Sequence, residues 1–352
     1  MKILCFNWRD IKNPAAGGAE VYTHEILKRL AQKHQITLMC ANFKGGLENE
    51  TIDGVNIVRK GNALTVYIEA FWYYWTAHRN KIDLIIDECN TLPFFTALYA
   101  KEKTIFLIHQ LAVEFWDLES PPPLSWIGKF FEPIYLKLYT KHLTITVSES
   151  TCQDLKKLGF TNIRVIENGC NVIPKESLPS KSDEPILLFV GRLKKAKKPD
   201  DALSAMIKVH EQLPNSKGFI IGNGYMKEEL MKKAPEYVKV LGHVGADEKY
   251  ALMQKAHVLL VPGIREGWGQ VVIEANAFGT PCVGYDINGL RDSIKDGETG
   301  LIVKCNPDRM AEATVKILKE RELRYKFGKN ALGWSKKFSW SSSVKKFAEI
   351  IG

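Results

Sequence analysis

Short apolar runs alternate with amphipathic stretches along the whole chain, and the alternation restarts once. A first series is KILCFNW (2–8), QITLMCA (35–41), VNIVRK (55–60), DLIID (83–87), TIFLIHQ (104–110), LTITVS (143–148) and NIRVIEN (162–168). A second begins at PILLFVGR (185–192) and continues through GFIIG (218–222), VKVLG (238–242), HVLLVPG (257–263), PCVGY (281–285) and GLIV (300–303). Runs this short, apolar on both faces and separated by helix-like segments such as 19–33 and 149–158, predict strands of parallel sheets covered by helices. The stretch 171–184, NVIPKESLPSKSDE, is polar, aperiodic and holds two prolines, so it reads as a linker. The expected architecture is α/β, with doubly wound parallel-sheet domains at 1–172 and 185–334. A basic amphipathic helix is expected within 335–352, and packing back on the first domain is one option for it. Ligands of such sheets bind beyond the carboxyl ends of the strands, so two domains facing each other would form one deep cleft.

Composition narrows the partners. The chain has 352 residues, 45% hydrophobic and 25% charged, with no window approaching the ~18 apolar residues of a membrane span. The N-terminus turns polar at Asn7, too early for the apolar region of a signal peptide. Seven scattered cysteines form no C-x-x-C pair, which argues against a zinc site or a disulfide framework and for a reducing compartment. The net charge of +9 suits phosphorylated ligands, acidic lipid surfaces or nucleic acid. The basic residues cluster at one loop rather than along an evident groove-reading element, so no nucleic-acid partner is expected.

Chemistry-bearing residues gather at predicted strand ends. PAAGGAEVYTHEILKRL (14–30) brings Gly17 and Gly18 to a helix start, where free N–H groups and the dipole favour an anion. Its spacing is not G-x-G-x-x-G, and a plain loop and helix start is the competing reading. After the first strand of the second series, Arg192, Lys194, Lys195, Lys197 and Lys198 can neutralise a diphosphate or form a solvated basic loop. GNG (222–224) reads as a tight turn between strand and helix. His109 ends a strand, either as a structural residue or facing a sugar hydroxyl or a developing charge. In REGWGQVVIEA (265–275), Glu266 precedes a helix expected over roughly 268–278 and Glu274 lies in its second turn. Each carboxylate can accept a sugar diol, or Glu266 can merely cap the helix while Glu274 faces solvent. Segments 64–79 and 121–142 interleave aromatics with basic residues, as helices packing on a sheet or lying on a membrane surface do.

Taken together, GGAE (17–20), VGRL…KKP (190–199), GNG (222–224) and EGWGQVVIEANAFGTP (266–281) resemble the retaining glycosyltransferases of family 4, with the GT-B fold of two Rossmann-like domains. The resemblance continues through IHQLAVEFW (108–116), TVSESTCQDL (146–155), VIENGCN (165–171) and GLRDSIKDGETGLIV (289–303), covering nearly the whole chain in order. It implies a nucleotide-diphosphate sugar held mainly by the second domain. Arg192 and Lys198 would bind the diphosphate, with Lys197 a rival because Pro199 stands where the family often has glycine. Glu274 would take the ribose and Glu266 the transferred sugar. The backbone of Gly267, Trp268, Gly269, Gln270 and Val271 would face sugar and phosphate, and Gly242, His243 and Val244 would lie near the base. Gly17 and Gly18 would approach the donor phosphates, and His109 the reacting sugar. Departures are mild: Trp268 stands where phenylalanine is common, and Asn276 and Phe278 lie in the helix.

The implied reaction is retaining sugar transfer to a glycan, glycolipid or lipid-linked acceptor, with Arg192 and Lys198 stabilising the leaving diphosphate. Neither metal nor cofactor is expected, since fixed cations can replace Mg²⁺. A nucleotide-sugar epimerase or hydrolase of the same fold, and a non-catalytic binding protein, are the alternatives. The cytoplasm is the expected location, with peripheral contact at the inner face of the membrane left open.

Overall fold

A computed structural model describes residues 1–352, which divide into two compact units. Unit 1 comprises Met1–Trp116, Pro122–Gly169 and Trp340–Gly352; unit 2 comprises Asp117–Pro121 and Cys170–Ser339.

The strands of unit 1 are β1 (Lys2–Phe6), β2 (Gln35–Cys40), β3 (Asn49–Ile52), β4 (Val55–Arg59), β5 (Leu84–Cys89), β6 (Lys103–Ile108), β7 (Leu143–Thr146) and β8 (Ile163–Val165). They form one sheet in the order β3-β4-β2-β1-β5-β6-β7-β8. Every pairing is parallel except β3 with β4. The strand β3, NETI, is absent from the expected series. It is a half-exposed edge strand turned back by Asp53 and Gly54, both at positive φ, as a two-residue hairpin turn requires. The order reverses between β1 and β5, so the loops after β1 and β5 flank the switch point of this sheet.

Unit 2 contains β9 (Ile186–Val190), β10 (Lys217–Ile221), β11 (Val238–Gly242), β12 (Val258–Val261), β13 (Cys282–Tyr285) and β14 (Gly300–Val303), all parallel. Their order is β11-β10-β9-β12-β13-β14, with the switch point between β9 and β12. Alternate residues of the central strands feed different cores. Leu187 and Phe189 join Leu260 and Met206 on one face, while Ile186 and Leu188 join Leu259 and Val272 on the other. That is why these strands are written as unbroken apolar runs.

The segment read as a linker is fastened to unit 2. Lys181 Nζ donates to the carbonyls of Gln254 and Phe278 and to Thr280 Oγ1, at 3.1, 3.0 and 2.6 Å. Lys175 and Ser182 add backbone bonds to Ala277 and Lys255. Burial pushes the Lys181 ammonium down to about 7. The last helix is Trp340–Ile351, starting five residues later than 335 because Arg321–Ser335 is a separate helix. It belongs to unit 1: Trp340 packs on Tyr22 with ring centroids 6.0 Å apart, and Lys346 pairs with Glu167 at 2.7 Å. No helix is long and apolar enough to cross a membrane.

Candidate active site

The site in unit 2 is built at its switch point. The loop after β9 carries Arg192 to Lys198, and the loop after β12 carries Pro262 to Gly269. Leu193, wholly buried, anchors the first loop in the core. Its amide donates to Asn223 O and its carbonyl accepts from Met226 N, which ties the loop to the GNG turn after β10. Gly222 and Gly224 have φ of +143° and +157°, and a Cβ on either would lie 1.8 Å from Gly191 O or 2.3 Å from Leu193 O. These glycines let the turn lie against the cationic loop, so they serve its position rather than the ligand.

The loops after β9 and β12 are joined by Ile264 N donating to Ala196 O at 3.0 Å. Beside that bond Lys197 Nζ pairs with Glu266 Oε1 at 2.5 Å, with both side chains partly exposed. Lys198 is placed differently. Its φ of +50° puts it in the left-handed region just before Pro199, and its ammonium points towards Asp201 at 3.9 Å. The structure therefore brings Lys197, and not Lys198, to Glu266. Lys198 thus holds a left-handed conformation that glycine adopts more readily than lysine. Arg192 is half-buried in the same loop.

Glu266 is backed by close backbone. Gly289 has φ +79°, and a Cβ there would lie 2.3 Å from Glu266 O. Trp268 is buried, its ring 5.0 Å from that of Phe338, so the indole packs the interior and leaves only main chain to a ligand. The helix expected over 268–278 spans Gln270–Asn276, seven residues, entered through Gly269 at φ +81°. So short a helix sums few peptide dipoles, and cationic side chains must supply most of the attraction for an anion.

Glu274 lies on that helix, only 4% exposed. It is not idle: Asn171 Nδ2 donates to Oε1 and Lys249 Nζ to Oε2, both at 2.9 Å. Burial alone would lower the Lys249 ammonium, but the Glu274 carboxylate outweighs it and holds it above its ordinary value. Lys249 and Asn171 carry no local sequence signal, since they reach Glu274 from distant segments. At the end of β11, Gly242 (φ +75°) accepts from Gly222 N, His243 is exposed and Val244 is half-buried.

In unit 1, Gly17 caps the helix Gly18–Leu30, and the buried Glu20 carboxylate accepts the Gly17 N–H at 2.7 Å. That carboxylate occupies an amide expected to be free and opposes an anion at this end. Gly18 remains exposed, with open space beside its Cα. His109, at the end of β6, is 8% exposed and bonds Glu88 through Nε2 at 3.1 Å. Glu88 is fully buried, and its other oxygen accepts the Thr23 hydroxyl at 2.5 Å. Burial pushes the Glu88 carboxyl above its usual range, partly offset by His109 and Thr23.

Two family models match end to end: "Glycosyltransferase Family 4" over residues 16–172 and "Glycosyl transferases group 1" over 173–334. An uncharacterised glycosyltransferase of Methanocaldococcus jannaschii is 33% identical over 185 residues, 51% of this chain and 50% of that protein. The chain thus spans about half the length of that curated relative. Among solved structures, a sucrose-phosphate synthase from Thermosynechococcus elongatus superposes with a TM-score of 0.80 at 20% identity, covering 99% of this chain and 98% of that one. An Anabaena protein in complex with UDP-glucose superposes with a TM-score of 0.75 at 18% identity, covering 100% and 99%. At these identities the superpositions establish the two-domain GT-B fold.

Proposed function

The chain belongs to the group 1 glycosyltransferases of family 4, and from that premise we propose that it moves a sugar from a nucleoside-diphosphate sugar to an acceptor hydroxyl, with retention and without a metal ion. The observation that carries this reading is the meeting of Lys197 and Glu266 at the switch point of the second sheet, in a loop that also bears Arg192. Cations for a diphosphate and a carboxylate for a sugar diol stand side by side there.

In the proposed reaction the bond from the sugar's anomeric carbon to the diphosphate oxygen breaks, and charge grows on the leaving phosphate. Arg192 and Lys197 stabilise that charge in place of a divalent ion. The acceptor oxygen bonds the anomeric carbon from the same face, and its proton passes to the departing phosphate. Glu266 holds the transferred sugar, and Glu274, steadied by Lys249 and Asn171, accepts ribose hydroxyls through its remaining lone pairs. The diphosphate role moves from Lys198 to Lys197, because Lys197 is the lysine beside Glu266. Main chain from Gly267 to Val271 lines the donor, the base lies near Gly242, His243 and Val244, and Gly17, Gly18 and His109 act in the transfer step. The acceptor is a glycan, a glycolipid or a lipid-linked saccharide, met in peripheral contact with a membrane.

A thermal-shift screen of nucleoside-diphosphate sugars, followed by transfer assays with and without chelator, tests the reading. A shift from one donor and full turnover in chelator are expected. No shift from any donor would overturn it, and full-rate product from donor alone would favour the hydrolase.

A further inference from the structure

The helix Leu124–Leu136 in unit 1 is inside out for a surface helix. Its buried side carries Ser125, Gly128 and Glu132 as well as Tyr135 and Leu136. The Glu132 carboxylate accepts from the amides of Ala112 and Val113, at 2.5 and 3.0 Å, and from Trp116 Nε1 at 3.1 Å. Gly128 lies so close to Trp116 that a Cβ would come within 2.4 Å of its ring. The underside is therefore fixed by specific contacts, and the helix cannot roll to hide its other face.

That other face is apolar and in water. Trp126 and Phe130 are each 66% exposed, Phe131 50%, Ile127 49% and Ile134 48%. On the helix and just after its C-terminal end the exposed charged residues are basic, Lys129, Lys137 and Lys141, while Glu114 and Asp117 are exposed on the segment before it. Neighbouring helices expose large hydrophobics as well. The turn Lys137–Tyr139 contacts the helix Thr96–Tyr99, whose Leu98 is exposed, and Tyr99 packs edge-on against Phe71 at 5.1 Å. Phe71 belongs to the helix Val66–Tyr73, which exposes Ile68 and Trp72. Large hydrophobics exposed together at Trp126, Ile127, Phe130, Phe131 and Ile134 on one helix far exceed the scattered single hydrophobics normal on a protein exterior.

We propose that this face docks on the surface of an anionic lipid bilayer. Large apolar and aromatic side chains enter the headgroup boundary while lysines extend to the phosphates. Charge decides the occupant, because a second copy of the chain in the same pose would set lysine against lysine, whereas anionic headgroups complement them. The helix packing that the sequence equally allowed accounts for the buried side alone. The inference deepens the membrane contact of the proposed function by naming its surface and lipid class.

The test is flotation of the full chain with vesicles, which reads no turnover, so its failure and failure of sugar transfer are told apart. The protein is expected to float with phosphatidylglycerol-rich vesicles at low salt, weakly with phosphatidylcholine alone, and less in high salt. Phe130→Glu/Phe131→Glu should lower partitioning roughly tenfold or more. Lys137→Glu/Lys141→Glu should lower it by about tenfold on anionic vesicles only, and serves should the first variant fold poorly by circular dichroism. Absence of flotation at low salt, or equal flotation by a folded variant, would overturn the proposal. So would a dimer in sedimentation that Phe130→Glu/Phe131→Glu dissociates while vesicles capture nothing.

Discussion

Glu88 and His109 form a buried pair in which the carboxylate, with no exposure of its own, sets the imidazole through a 3.1 Å bond to Nε2. Thr23 holds the other carboxylate oxygen, and Tyr22 packs edge-on against the ring at 5.2 Å. With Nε2 committed to the carboxylate as a donor, Nδ1 is the nitrogen left for other work. Glu88→Gln keeps the shape but allows the other tautomer. Transfer is expected to fall about 10- to 100-fold, with the melting temperature little changed. Nitrogen chemical shifts of His109 should show Nε2–H in the wild type and a mixture in the variant. An unaltered tautomer with lost activity would make Glu88 purely structural.

The placement of Lys197 and Lys198 separates adjacent residues of one charge. Lys197→Ala should lower kcat/KM about 100-fold or more, as loss of a preorganised donor at a leaving group does. Lys198→Gly should leave kcat/KM within about threefold and stability unchanged or raised by up to about 1 kcal/mol, since glycine adopts φ +50° freely. Steady-state kinetics with the donor found by thermal shift decide between them. The reverse ranking would return the diphosphate to Lys198.

The strands were legible because parallel sheets bury both strand faces, and Ile186–Val190 or Val258–Val261 can only be written as apolar runs. The edge strand Asn49–Ile52 was hidden by its polar, half-exposed pattern, though the Asp53-Gly54 pair was a usable hairpin signal. Residue types at the site were legible from their positions after strand ends. Their partners were not: Asn171 reaches Glu274 from a distant segment and Glu88 reaches His109 from the neighbouring strand, and no local periodicity encodes such contacts. Which of two consecutive lysines faces inward turned on one left-handed backbone conformation.

His257 gives the stability of the chain a pH dependence of known sign. It is buried just before β12, and its Nδ1 accepts the Ile186 amide at 3.1 Å, a bond only an unprotonated Nδ1 can accept. Burial, with lesser repulsion from Arg324 and Lys181, pushes it down to about 4. An unfolded histidine titrates near about 6.5. Between these values the unfolded chain binds more protons, so the stabilisation is complete above pH ~6.5 and is lost as pH falls towards ~4. Urea unfolding of the wild type against His257→Gln should show their difference shift by about 2 kcal/mol against the wild type between pH ~7 and pH ~4.5. A difference that stays constant with pH would contradict a buried neutral ring.

Glu274 serves a structural pair and, as proposed, the donor, and the two roles respond differently to substitution. Glu274→Gln leaves the Lys249 ammonium mostly buried without its counter-charge, and a cost of about 2 kcal/mol is expected, since the lysine keeps some contact with water. Lys249→Met on that background removes the orphaned charge and should recover most of the stability, since such pairs often yield to apolar replacements at little cost. Donor binding should not recover, because neither a neutral amide nor methionine supplies the carboxylate that accepts ribose hydroxyls. The expected pattern is stability lost and regained in denaturant melts, with donor affinity reduced about tenfold or more in both variants. If affinity returned together with stability, Glu274 would be a scaffold for its helix, and the ribose would have to be held elsewhere.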